Sequence, residues 1–135
     1  MVDLDGKALR VGIALYLALY VFHILLLPAL VGESAATGEY QGALFAVNQA
    51  LGLATCLAPG FLAAKKAGHH GFIHGGVVGM VSTVLTALLA MGWAIFSHGK
   101  FYGLETLPFW LVINGFLGAF AGLVATNLVE DKDSV

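Results

Sequence analysis

The chain has 135 residues, of which 59% are hydrophobic and only 10% are charged, and its mean hydropathy is +0.90. A soluble domain carries about 25% charged residues and cannot bury this much apolar surface in one core, so composition excludes a soluble globular protein. The formal net charge of −2 gives no electrostatic basis for nucleic-acid binding. The single cysteine, Cys56, excludes an intrachain disulfide.

Four apolar stretches are each long enough to cross a bilayer as a helix. They cover residues 8–31, 41–64, 72–96 and 107–128, and short connections make consecutive helices antiparallel neighbours. We therefore predict a single all-α domain over residues 1–135, folded as an integral membrane four-helix bundle of up-down hairpins.

The first predicted helix carries a polar face. Tyr16, Tyr20 and His23 follow one another at spacings of four and three residues, which places them on one side of a helix. A rise of 1.5 Å per residue puts His23 roughly 10–12 Å below the outer surface. The imidazole is therefore a candidate ligand that is approached through two phenol groups.

The other three helices carry small residues at every fourth position. Such rows let backbones approach closely in a membrane, where hydrophobicity no longer drives helix association. The residues are Gly52, Cys56 and Gly60 in the second helix, Gly71, Gly75 and Gly79 at the start of the third, and Gly118 and Gly122 in the fourth. We interpret them as packing surfaces within the chain, with a contact surface for a second copy or a larger complex as the alternative.

The connection between the second and third helices is basic and rich in histidine. It contains Lys65, Lys66, His69, His70 and His74. We interpret it as a loop that contacts anionic lipid headgroups. A dedicated metal site is the alternative, but the histidines lack cysteine or carboxylate partners at suitable spacing, so no metal is predicted.

Polar residues inside the spans mark candidate sites, because they are costly in the membrane. Asn48 and Asn114 lie at similar distances from the outer starts of their helices, and Thr86 lies slightly deeper in the third helix. With His23 they are predicted to form one polar layer. Three roles stay open: a hydrogen-bond network that fixes helix register, a site for a small solute or ion, and a haem or pigment site on His23.

The lysines and arginine are distributed unevenly between the two sides of the predicted bundle. Lys7, Arg10, Lys65, Lys66 and Lys132 fall on one side, and only Lys100 falls on the other. Because cytoplasmic loops are enriched in these residues, we predict a protein of the inner (plasma) membrane with both termini in the cytoplasm.

The central hairpin, residues 59–76, joins a glycine-containing helix end to a basic turn with Ala-Gly and an aromatic-x-His-Gly start of the third helix. In this it resembles small four-helix bacterial integral membrane proteins of unknown function. The resemblance implies a fold and a membrane location, and no activity.

Catalytic constellations are not recognisable in the sequence, because no nucleophile stands beside a base and no carboxylate pair lies within a span. We predict a non-enzymatic subunit that scaffolds a larger membrane complex or homo-oligomer through its glycine faces, with the lipid bilayer and other subunits or a second copy as partners. A small transporter or channel using the polar layer is one alternative. A haem- or pigment-binding subunit using His23 is another; no other cofactor is predicted.

Overall fold

In a computed structural model of the chain, residues 3–27, 42–96 and 104–133 are described. They form four long helices, α1 (Gly6–Val21), α2 (Gly42–Ala67), α3 (Gly71–Phe96) and α4 (Leu107–Asp133), with no strand in these ranges. Each helix, with α1 extended to Ile24, is long and apolar enough to cross a membrane. The all-α, four-helix part of the prediction is therefore confirmed, and the chain is a multi-pass membrane protein.

The helix ends differ from the predicted ones in ways that follow from polar residues. The predicted end of the second helix at residue 64 is too early, because α2 continues to Ala67 with Lys65 and Lys66 in its last turn, where cations interact favourably with the helix dipole. The fourth helix likewise continues past 128 to Asp133. Residues 28–31, the predicted end of the first helix, lie outside the described residues.

The first helix begins two residues earlier than predicted because Asp5 caps it. The Asp5 carboxylate accepts hydrogen bonds from the backbone N–H groups of Lys7 at 2.7 Å and Ala8 at 3.1 Å. These bonds stabilise the charged form and lower the pKa of Asp5 below its ordinary value. At its other end α1 widens into a π-helical turn, Phe22–Leu26, and the Leu27 N–H donates to the Phe22 carbonyl.

A three-residue turn, Gly68 to His70, joins α2 to α3. The Gly68 N–H donates to the Ala64 carbonyl at 2.9 Å, and Gly68 takes a φ of +74°, as is usual for a glycine that ends a helix. We call the end of the bundle that holds this turn the turn end. The opposite end, where α2 and α4 begin, is the loop end.

Glycines set the contacts of α3 with α4, which form the most extensive helix pair in the bundle. Gly71 lies against Gly122, Gly75 against Gly118, and Gly79 against Asn114, each with backbone meeting backbone. Residue numbers therefore rise along α3 as they fall along α4. Helix α2 packs against the same contact, since a Cβ on Gly60 would lie 2.6 Å from the Gly118 carbonyl oxygen.

Helix α1 crosses α2 and α3 at a second close contact. A Cβ added to Gly12 would lie 2.9 Å from the Pro59 carbonyl oxygen, the Ala63 Cβ and the Val78 Cγ2. Both close contacts lie toward the turn end, so the four helices are tightly packed there. Large apolar side chains such as Phe72, Leu88 and Phe116 point outward, as lipid-facing residues do.

Candidate functional site

A cavity of about 630 Å³ lies between the four helices on the loop-end side of the glycine contacts. All four helices contribute to it. Its polar lining comprises Tyr16, Tyr20, His23, Asn48, Gln49, Thr55, Cys56, Thr83, Thr86, Thr106 and Asn114. The six residues proposed from sequence for a polar site therefore line one cavity.

Asn114 is the centre of a hydrogen-bonded cluster at the floor of this cavity. Its amide nitrogen donates to the Tyr16 hydroxyl at 3.1 Å and to the Thr83 hydroxyl at 2.9 Å. Its amide oxygen accepts from the Cys56 thiol at 3.2 Å. Both N–H groups and the oxygen of the Asn114 amide are thus engaged, as a polar group in the membrane interior requires. We call these four residues the Asn114 cluster.

Three threonine hydroxyls in the lining bond to the backbone of their own helices. Thr83 donates to the Gly79 carbonyl at 2.7 Å, Thr86 to the Thr83 carbonyl at 3.0 Å, and Thr55 to the Leu51 carbonyl at 2.8 Å. Each hydroxyl proton is therefore engaged within the helix. The oxygen atoms of Thr55 and Thr86 keep their capacity to accept a hydrogen bond, whereas that of Thr83 accepts from Asn114.

His23 and Asn48 form a second polar group nearer the loop end. The His23 Nε2 donates to the Asn48 side-chain oxygen at 2.8 Å. His23 lies in the π-helical turn of α1. Gly52, one turn below Asn48, lies beside the imidazole, and a Cβ there would make an ordinary van der Waals contact of 3.4 Å with the His23 Cε1. We call His23, Asn48 and the neighbouring Tyr20 the His23 group.

The prediction of one polar layer is corrected to two levels. Asn114 lies beside Cys56, and Cys56 follows Asn48 by eight residues on α2. At 1.5 Å per residue, the two asparagines are separated by about 12 Å along the bundle. The cause is a stagger of the helices, because the contact of Gly60 with Gly118 leaves the first two turns of α2 beyond the start of α4.

Two residues predicted to pack helices together have a different environment. Gly52 and Cys56 line the cavity, whereas Gly60, Gly71, Gly75, Gly79, Gly118 and Gly122 lie buried in helix contacts. Helices that cross at a close contact diverge away from it. The part of α2 nearer the loop end, which carries Gly52 and Cys56, therefore faces the cavity between the helices.

Thr83 is one of the polar lining residues that sequence reasoning missed, with Gln49, Thr55 and Thr106. It is buried and bonds to Asn114, Gly79 and, through its carbonyl, Thr86. Its spacing of four from Gly79 and three from Thr86 places all three residues on one helix face. That spacing is the sequence signal from which Thr83 could have been predicted as a site residue.

Comparison of the chain with protein-family models, with curated proteins and with solved structures finds no match. The function is therefore argued from the geometry of the site.

The predicted headgroup loop divides into an exposed and a buried part. Lys65, Lys66, His69 and His70 are exposed at the turn end. His74 is fully buried, so its assignment to a lipid-contacting surface is wrong. The reason is helical periodicity, because His74 shares the inner face of α3 with buried residues three and four positions away.

His74 links the start of α1 to α3 through a hydrogen bond. Its Nε2 accepts the backbone N–H of Asp5 at 3.0 Å, and its Nδ1 lies 3.1 Å from the His70 carbonyl oxygen. This arrangement assigns the neutral tautomer with the proton on Nδ1, which donates to His70. Within residues 3–27, 42–96 and 104–133, no group of three or more His, Cys, Asp or Glu side chains is placed to hold a metal ion.

His23, the candidate haem or pigment ligand, lies in the cavity lining. The Nε2 of His23 is already engaged by Asn48. Among the described lining residues no second histidine and no methionine provides an opposite axial ligand.

Proposed function

We propose that this protein binds an uncharged small molecule inside the membrane, in the cavity between its four helices. The observation that carries the proposal is the cavity itself, about 630 Å³ in volume and lined by polar side chains that converge from every helix. Ligand sites for small molecules are about 300–1,000 Å³ and are mostly apolar with a few polar groups. The cavity here falls within that volume range, and its described lining combines apolar surface with hydroxyl, amide and imidazole groups.

The lining supports an uncharged ligand. Among the described lining residues there is no Asp, Glu, Lys or Arg. A charged molecule taken out of water requires a partner of opposite charge, because the desolvation penalty is otherwise uncompensated. Neutral hydroxyl and amide groups offer hydrogen bonds without that requirement.

The closed turn end supports a binding protein or carrier rather than an open channel. Below the Asn114 cluster, Gly75 and Gly79 bring α3 against α4, and Gly60 brings α2 onto Gly118. A ligand therefore enters from the loop end or from the side. A transport cycle would require the helices to separate at these glycine contacts.

We also propose an antiparallel bundle with both termini in the cytoplasm of a bacterial cell and the cavity in the outer half of the inner membrane. The pairing of Gly71 with Gly122 and of Gly79 with Asn114 supports the antiparallel direction of α3 and α4. The exposed Lys65 at the turn end fits the enrichment of cations in cytoplasmic loops. The central hairpin's resemblance to bacterial membrane proteins agrees with this location.

A scaffolding role through the glycine rows has less support than ligand binding. The six packing glycines are buried against other helices of the same chain, so these faces are already occupied. A catalytic role also lacks support, because the oxygen and both N–H groups of the Asn114 amide, a buried polar group of the cavity lining, are engaged by neighbours.

The proposal is tested by filling the cavity. Ala87 lines it, whereas Leu88, the next residue, is exposed on the lipid-facing side. Wild type, Ala87→Phe and the matched control Leu88→Phe are purified in mild detergent, and the small molecules retained per protein are identified by mass spectrometry. We expect a molecule that is present in wild type and Leu88→Phe and depleted in Ala87→Phe. Identical contents in all three folded proteins would contradict the proposal.

A further inference from the structure

We infer that the ligand is an uncharged amphipathic molecule that presents a carbonyl or ether oxygen on an apolar body. This inference rests on the proposed function, because it names the class of molecule that the cavity takes. It follows from the distribution of polar and apolar groups over the cavity walls and from the hydrogen-bond donors left without partners.

The cavity lining combines polar and apolar groups. The His23 group, on α1 and α2, forms a polar wall near the loop end. The remaining lining includes the threonines and Asn114 together with nonpolar side chains of α3 and α4, among them Ala87, Ala90, Leu107, Trp110, Ile113 and Leu117. A molecule that occupies the cavity therefore meets both hydrogen-bonding groups and hydrocarbon, which favours an amphipathic molecule.

The polar wall offers hydrogen-bond donors. The Tyr20 hydroxyl has no hydrogen-bond partner among the described residues, and the amide N–H groups of Asn48 have none there either, because only its oxygen is engaged, by His23. Unpaired donors are costly away from bulk water. An oxygen acceptor on the ligand can bond to such a donor, whereas a hydrocarbon cannot.

The Asn114 cluster does not compete for this acceptor. The Asn114 amide is saturated by Tyr16, Cys56 and Thr83. The cluster therefore forms the floor of the cavity, and recognition of the ligand oxygen falls to donors of the lining outside the cluster, among them Tyr20 and Asn48. Cys56, the only cysteine in the chain, sits at that floor and provides a reporter of occupancy.

The test measures how fast methyl methanethiosulfonate modifies Cys56 in lipid nanodiscs. Four probes are added: 2-dodecanone, dodecane and dodecanoate at equal concentrations in the membrane, and acetone in the aqueous phase. We expect 2-dodecanone to slow the modification, and the other three probes to leave it nearly unchanged. Dodecane lacks the acceptor, dodecanoate carries a charge, and acetone lacks the apolar body.

The role of Tyr20 is tested in the same assay. Tyr20→Phe removes the donor and keeps the ring, so the half-protecting concentration of 2-dodecanone is expected to rise about five-fold, the affinity equivalent of one hydrogen bond. The lipid-facing control Leu88→Ala is expected to leave it unchanged. Intact folding of each variant is checked by circular dichroism and gel filtration.

Each contrary result has a definite meaning. Equal protection by dodecane and 2-dodecanone, protection by acetone or dodecanoate alone, or an unchanged Tyr20→Phe would overturn the ligand class and leave the proposed function to the retained-molecule experiment. Labelling of Cys56 that no probe slows would also overturn it. If Cys56 does not react at all while an engineered Leu104→Cys does, the ligand class is overturned, and the retained-molecule experiment decides the proposed function separately.

Discussion

Gly75 of α3 and Gly118 of α4 meet backbone to backbone, so a Cβ on either residue would collide with the carbonyl group of the other. No flexible side chain lies between them that can move aside. This contact closes the bundle below the cavity and fixes how far α4 is displaced along α3. The position of the Asn114 cluster depends on that displacement.

Adding one methyl group at this contact is predicted to destabilise the bundle. Gly75→Ala should lower the free energy of unfolding by about 2 kcal/mol, because overpacking against backbone forces the helices apart. The control is Gly92→Ala in the same helix, where no atom of the described residues beyond the adjoining helix backbone lies within 4 Å of the added Cβ. Gly92→Ala should be neutral or stabilising through helix propensity. Unfolding in mixed micelles, followed by circular dichroism, measures both; equal effects would contradict the contact.

Removing the hydroxyl groups of two adjacent residues of α3 is predicted to change the free energy of unfolding in opposite directions. The Ser82 hydroxyl is buried with no hydrogen-bond partner in the described part of the chain, whereas the Thr83 hydroxyl bonds to both Asn114 and Gly79. Ser82→Ala should therefore raise the free energy of unfolding by about 1 kcal/mol. Thr83→Val should lower it by roughly 1–2 kcal/mol. The same micelle assay decides; a loss of stability in Ser82→Ala would show that its hydroxyl is satisfied.

The cap of α1 is predicted to be sensitive to acid. Because hydrogen bonds from Lys7 and Ala8 lower the pKa of Asp5 in the folded protein, the cap is complete above the ordinary aspartate pKa of about 3.9. It is lost as pH falls through the lowered folded value. The amide proton shifts of Lys7 and Ala8 should titrate with a midpoint below that ordinary value, and Asp5→Asn should abolish the titration. A midpoint at or above it would contradict the cap.

The proposed orientation is tested by paired cysteines in a Cys56→Ser background. Lys66 is exposed at the turn end and Glu105 at the loop end. In intact spheroplasts a membrane-impermeant maleimide should label Glu105→Cys and leave Lys66→Cys unlabelled, and inverted vesicles should give the reverse. The opposite pattern, or equal labelling of both, would overturn the cytoplasmic assignment of the termini.

Hydropathy was sufficient to locate the four helices, because a membrane span needs a long uninterrupted apolar stretch. The spacing of four was sufficient to identify glycines that meet other helices, such as Gly60 and Gly118. Both signals are local in the chain. They require no knowledge of how one helix is displaced along another.

The displacement of one helix along another could not be predicted from the sequence. Depth counted from helix ends puts Asn48 level with Asn114, whereas backbone contacts at the turn end place Asn114 beside Cys56. The burial of His74 was missed for a related reason, because the cluster of histidines and lysines was treated as one loop. His74 differs from exposed His69 and His70 because it lies on the inner face of α3, where it accepts a hydrogen bond from the Asp5 N–H.

Ligand binding between the helices requires an accessible cavity that extends to Cys56. The measurement is the rate at which methyl methanethiosulfonate modifies Cys56 in nanodiscs without added probes. Wild type and Leu88→Phe should react at equal rates, and the cavity-filling variants Ala87→Phe and Ala90→Phe should react at least ten times more slowly. Equal rates in all four folded proteins would contradict the cavity.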